Sequence, residues 1–227
     1  MYIYICMNKN KNKNPFDFFD AIYCINLDHR TDRWEHAQKE FEKLGIKDRV
    51  IRFSAIKHND GRIGVIRSNL EIFKIAKKRN YKNILIFEDD VEFLMKNKPL
   101  ETLDKSLNQL PKNVWGMIYL GANTHQPLIK TNKPNLTILK NAYAAHAICY
   151  HQKIYDVIIN QFSKISNKGK ITTQQDILDV FLAKLQERYH TFLITPMIAT
   201  QYANFSDIEK QNVNYSFIEE RYKKHIK

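Results

Sequence analysis

Cysteine is scarce and widely spaced. Cys6, Cys24 and Cys149 are the full set, and no two form a CxxC pair. An odd number at this spacing argues against a disulfide framework or a thiolate zinc site and fits a reducing compartment. Long apolar runs are absent too: none approaches the ~18 residues of a membrane-spanning helix. The opening Tyr2-Ile3-Tyr4-Ile5-Cys6 is too short for a signal h-region, and its lysines follow it instead of preceding it. A cytoplasmic location is therefore expected, and the sequons at Asn135, Asn204 and Asn214 are expected to carry no sugar. There is no GxGxxG and no phosphate-binding P-loop, which argues against a dinucleotide fold or an NTPase. None of the eight histidines forms an HExxH or HxH pair, and no internal repeat is visible.

Acid is in short supply relative to base. Against 36 Lys and Arg stand 24 Asp and Glu, for a net charge of +12 and a pI near 9.5. Such a chain attracts polyanions, whether nucleic acid, anionic lipid or a nucleotide diphosphate. Charge alone does not choose among them. A nucleic-acid-binding module is one reading, but no recognisable reader motif or interleaved aromatic platform accompanies the charge. At 227 residues with 44% hydrophobic side chains, the chain is long and apolar enough for one α/β domain.

Strand and helix patterns alternate after a loose Lys/Asn-rich leader, residues 1–15. Strands are expected at 21–27, 50–56, 83–87 and 115–120. Helices are expected at 31–44, closed by Gly45, and from about 63 to 78. One or two strands are expected within 136–150, a helix at 153–162, another at 176–186 and a last strand at 189–194. The repeated βα order predicts a mostly parallel sheet flanked by helices, with right-handed crossovers. The domain is read as 16–208, followed by a basic C-terminal tail, 209–227.

Glu88-Asp89-Asp90 is the most informative group. It follows the apolar run Asn83-Ile84-Leu85-Ile86-Phe87, so the acids sit where a buried strand leaves the sheet, the edge at which open α/β sheets bind ligands. Crowded carboxylates raise one another's pKa, and a hard divalent cation, Mg²⁺ or Mn²⁺, relieves the repulsion. The alternative is a solvated acidic loop. At the end of the first strand, Arg30 and Arg33 stand at a strand-to-helix turn that suits a phosphate, or else cap the helix and pair on the surface. Gly64 could admit a close backbone approach. Ser68 and Asn69 either face a ligand or are ordinary polar helix residues. Asp176 and Asp179 fall at i and i+3 on one expected helix, where they either share a functional face or satisfy the helix dipole.

These pieces, in order, resemble glycosyltransferase family 25, which includes lipooligosaccharide and procollagen galactosyltransferases. The resemblance is carried by Ile25 through Arg33, Phe53-Ser54-Ala55, Gly64 through Asn69, Ile84 through Val91, Tyr119-Leu120-Gly121, Asp179-Val180-Phe181-Leu182, and Pro196, Gln201 and Ser206-Asp207-Ile208. It implies a single Rossmann-like domain of the GT-A type that moves a hexose from a UDP-sugar. UDP-galactose or UDP-glucose is expected first, and the acceptor is a hydroxyl of a glycan or a hydroxylated side chain, with inversion and a bound Mn²⁺ or Mg²⁺. On this reading Glu88 and Asp90 hold the metal, while Asn26, Arg30, Arg33, Ser68, Asn69 and Asp89 contact the donor. Asp179, with Asp176 as alternate, serves as the base, and Asp207 orients a closing C-terminal segment. Specific nucleic-acid binding and a transmembrane segment are not expected; contact with a membrane surface stays open. Asn69 stands where the family has His, which keeps a catalytically degenerate scaffold as the remaining alternative.

Overall fold

The computed structural model describes residues 14–112 and 114–226. In chain order its elements are β1 (Ala21–Asn26), α1 (Thr31–Lys43), β2 (Val50–Ser54), α2 (Gly61–Lys78), β3 (Asn83–Glu88), β4 (Val91–Phe93), α3 (Pro99–Gln109) and β5 (Trp115–Tyr119). There follow β6 (Asn123–Thr124), β7 (Ile129–Lys130), β8 (Leu136–Ile138), β9 (Ala142–Tyr143), β10 (Ala147–His151), α4 (Tyr155–Lys168) and α5 (Leu178–Arg188). The chain ends in β11 (His190–Ile194), β12 (Ala199–Gln201), β13 (Asn204–Ser206), β14 (Gln211–Val213) and α6 (Phe217–His225).

The central sheet has eight strands in the order β2-β1-β3-β10-β5-β11-β8-β7. All but β10 and β8 run the same way. The mixed α/β class and the mainly parallel sheet are as expected. The departure is β10, which enters antiparallel between β3 and β5. It brings the 142–146 segment back to the carboxyl end of β3, beside the acids.

The apolar run of β3 is buried on both faces, as its composition requires. Ile84 and Ile86 join the core under α2, α4, α5 and α6, while Leu85 and Phe87 join the core under α1 and α3. The period-two alternation thus divides one hydrophobic run between two cores.

Of the leader, residues 1–13 lie outside the described residues. Asn14, the first described residue, is already anchored: its Oδ1 accepts from the Phe16 N–H at 3.0 Å and its Nδ2 donates to the Leu44 carbonyl; Phe16 is fully buried. The expected basic tail is corrected more sharply. Residues 211–213 form a strand and 217–225 form α6, which buries Ile218 and Tyr222 and pairs through its final turn with the β6–β7 segment. Ile218 and Tyr222, four apart, give this basic helix an apolar face, so the charge run is only its solvated side.

Gly121 explains how the β5 end meets β12. A Cβ there would lie 1.9 Å from the Ala199 carbonyl oxygen, while Leu120 accepts from the Ile198 and Ala199 N–H groups. We expect Gly121→Ala to cost more than the ~1–3 kcal/mol of ordinary overpacking, because backbone and not a side chain would have to move. A thermal melt within a degree or two of the unsubstituted protein would show that the β5–β12 junction yields easily.

Candidate active site

A cleft of about 630 Å³ opens at the carboxyl edge of the sheet. That volume lies in the range of small-ligand sites. Of the sequence-predicted residues, Arg33, Gly64, Ser68, Asn69, Glu88, Asp89, Asp90, Asp179 and Asp207 line it; Asn26, Arg30 and Asp176 do not.

The acids follow β3 into a tight turn before β4. Asp89 is fully engaged. Its Oδ2 accepts from Asn26 Nδ2 at 2.6 Å and its Oδ1 pairs with Arg33 Nη2 at 2.5 Å. Burial pushes its carboxyl up to about 6 against the pull of Arg33. Arg33 also pairs with Asp90 Oδ2 at 2.9 Å. Gln201 Nε2 donates to the same Oδ2 at 3.2 Å, and the Tyr202 N–H donates to the Asp90 carbonyl, so β12 is tied to the acidic turn. Asp90 Oδ1 is buried with no hydrogen-bond partner.

Glu88 is half-buried at the strand end. Burial, then the neighbouring Asp90 and Asp179, drives its carboxyl well above the ordinary range. Asp179 lies in the first turn of α5, and burial raises its carboxyl to about 6 against a smaller opposing pull from the Ala144 backbone. Ala144 itself holds a left-handed φ of 73°, a conformation rare for a non-glycine residue outside constrained sites. Glu88, Asp90 and Asp179 therefore converge from two distant segments, and Ala144 and Ala145 of the segment leading into the antiparallel β10 line the cleft beside them. Among the described residues no three acidic, His or Cys side chains form a closed metal cage.

The other sequence-predicted residues have structural partners. Asn26 donates to Asp89 and to the Arg30 carbonyl, and its Oδ1 accepts from Arg52 Nε and Nη2 at 2.9 and 2.7 Å. It positions Asp89 from behind. Arg30 forms a fork with Asp32, and its Nη1 donates to Asp207 and to the Phe205 carbonyl. This arginine fastens the β13–β14 hairpin at the cleft rim; Ile208 of that hairpin packs against Gly61. Ser68 donates to the Gly64 carbonyl and accepts from the Ile56 N–H, both at 2.8 Å, stapling α2 to the segment before it. The close approach allowed by Gly64 is to that same segment: a Cβ would lie 2.6 Å from the Ile56 carbonyl oxygen. Asn69 Nδ2 donates back to the Val65 carbonyl.

Asp176 does not share a face with Asp179. It closes a short 3-10 turn, Gln174–Asp176, and α5 starts only at Leu178. Its Oδ2 accepts from the Thr172 N–H and hydroxyl and the Thr173 N–H. Burial opposes ionisation there, but these donors win and hold the carboxyl below its usual value. It is a cap, and it lies outside the cleft lining.

Sequence reasoning passed over Tyr215 and Phe217, which line the cleft. Burial raises the Tyr215 phenol, helped by the charges of Asp90, Glu209 and Glu88. Their apolar signal was hidden inside the stretch read as a tail.

No family model matches the chain. Over 135 residues it is 29% identical to procollagen galactosyltransferase 1-A of Xenopus laevis, a match covering 48% of this chain and 22% of that protein. The chain thus spans about a fifth of the length of the curated relative it matches. Among solved structures it is similar to a glycosyltransferase involved in the glycosylation of the major capsid of PBCV-1, with a TM-score of 0.49 and 12% identity over 78% of this chain and 81% of that one. It is also similar to a mannose-1-phosphate geranyltransferase from Thermus thermophilus, with a TM-score of 0.46 and 7% identity over 79% and 75%. No helix among the described residues is long and apolar enough to cross a membrane.

Proposed function

We propose that this protein transfers a hexose from a UDP-sugar to a hydroxyl group, with inversion at the anomeric carbon and with the aid of Mn²⁺ or Mg²⁺. UDP-galactose and UDP-glucose are the first donors to try; the acceptor is a glycan or a hydroxylated side chain. The observation that carries the reading is the convergence of Glu88, Asp90 and Asp179 in one cleft at the carboxyl edge of the sheet. The partial sequence likeness to a procollagen galactosyltransferase supports it.

A divalent cation fits the residues present. Asp90 Oδ1 is a buried acceptor with no donor, and the Glu88 carboxyl is raised first by burial and then by the charges of Asp90 and Asp179, which a cation would offset. Two hard carboxylates without a complete protein cage suit an ion that keeps water and takes phosphate oxygens for its other positions. When bound, such an ion neutralises charge on the departing diphosphate. Asp179 is the base: its carboxylate takes the proton as the acceptor oxygen bonds to the anomeric carbon and the bond to the diphosphate breaks. Asp89 and Arg33 hold Asp90 in register, and Asn26 holds Asp89.

The direct test is stabilisation by nucleotide. UDP with Mn²⁺ at about a hundredfold over its dissociation constant adds roughly 2.7 kcal/mol, or ~5–10 °C in melting temperature for a domain of this size. Differential scanning fluorimetry checks this. No shift with UDP, GDP or CMP plus metal would sink the nucleotide-sugar reading.

A further inference from the structure

We infer that the acceptor carries a negative charge, bound beside its sugar ring by Arg221 and His125, which stand just behind the cleft-lining Asn123, Tyr143 and Phe217 on the Asp179 side. The inference rests on the transferase reading, because the base marks the acceptor side. A continuous path of contacts leads there. Asp179, Ala144 and Tyr143 line the cleft together. Next to Ala144 is Tyr143, which pairs in register with Asn123 across β6 and β9. Asn123 Oδ1 accepts from Arg221 Nη1 at 2.9 Å, and the same nitrogen donates to His125 Nε2 at 3.4 Å.

Tyr143, Asn123 and Phe217 line the cleft. The Arg221 guanidinium lies over the Phe217 ring, 5.0 Å from its centroid, and His125 meets Tyr143 edge-on at 4.6 Å. Aromatic side chains together with an amide in the lining suit the apolar face and hydroxyls of a sugar. The charge beside them is unbalanced. Among the described residues no carboxylate lies within ion-pair distance of Arg221. His225 stands close by, on Thr124 at 2.9 Å. An arginine has five N–H donors, and here only Nη1 is engaged within the described protein. The remaining donors form a fork suited to a carboxylate, phosphate or sulfate group. The stacking on Phe217 and the bond to Asn123 hold that fork still before anything binds.

The test is titration calorimetry of the full chain, with UDP and MnCl₂ present, against galactose, galacturonate, galactose 6-phosphate and galactose 6-sulfate. At least one anionic hexose should bind about tenfold to hundredfold tighter than galactose, the scale of one charge-assisted arginine contact; which one it is identifies the anion. Arg221→Gln should remove that preference and leave UDP affinity unchanged. Asn123→Asp, which neutralises Arg221 without removing it, should do the same. Equal binding of all four sugars overturns the inference, as does a preference that survives both substitutions. A loss of UDP affinity in Arg221→Gln also overturns it, by moving the arginine to the donor. Failure of the transferase reading is seen separately, as the absence of any UDP and Mn²⁺ stabilisation in the unsubstituted chain.

Discussion

Asp179→Asn should leave the protein folded and lower sugar transfer by about a hundredfold or more, the usual scale for losing a general base. UDP affinity in the presence of Mn²⁺ should change little, because the carboxylate faces the acceptor side. The stability of the metal-free protein gives a second readout. Burial raises Asp179 from 3.8 to about 6, so the folded state binds this proton more tightly than the unfolded chain. The stabilisation is fully present below about pH 4 and is lost as pH rises through about 6. Asparagine does not titrate, so the variant should lack that portion of the decline. Asp176→Asn should behave in the opposite manner. Turnover is kept and stability falls by about 0.5–2 kcal/mol, as for a lost helix cap, because its Oδ2 holds the Thr172 and Thr173 donors. Normal turnover in Asp179→Asn, measured with UDP-galactose and UDP-glucose, would place the base elsewhere.

The two aspartates also show where sequence reading stops. Their i, i+3 spacing places them on one face only if one helix contains both, and that depends on where the helix begins. The helix begins at Leu178, two residues later than the pattern suggested. Asp176 was therefore free to become the cap of the turn before it. A boundary error that barely affects the fold decides which residue can do chemistry.

The acidic turn was legible because two signals coincide there. A run of β-formers buried on both faces ends abruptly in three acids, and that run is long enough to read. The three-residue strands β4, β12, β13 and β14 are too short to carry a period. Helix α3 was readable and missed: Pro99 opens it, and Leu103 and Leu107 fall at helical spacing. The insertion of β10 was not readable, since strand direction leaves no trace in hydrophobic alternation. Neither are the distant partners of Asn26 and Arg30, which come from 26 to 177 residues away. Local sequence shows that an arginine stands at a turn. It does not show that Asp207 will arrive there first.

That distinction changes what substitution of Arg33 should do. A free phosphate-binding arginine could be lost with little harm to folding. Arg33 instead lies between Asp89 and Asp90, with only 11% of its side chain exposed and its partners at 10% and 7%. Removing it leaves two carboxylates with little solvent and no cation. We expect Arg33→Ala to cost on the order of 3–5 kcal/mol, about 6–20 °C in melting temperature. The loss should depend on pH. Burial already raises Asp89 to about 6 with Arg33 in place. Without the guanidinium the folded-state pKa of Asp89 climbs further, so its unpaired charge destabilises above that value and is neutralised below it. The deficit should be largest near pH 8 and shrink toward pH 5, as linkage requires. Mn²⁺ provides a further separation. If the ion sits against Asp90, Arg33 competes with it for the same carboxylate, and the variant should gain more from added metal than the unsubstituted protein does. A deficit that ignores both pH and Mn²⁺ would mean that Arg33 acts by packing alone, and that the charge of the acidic turn is balanced by other groups.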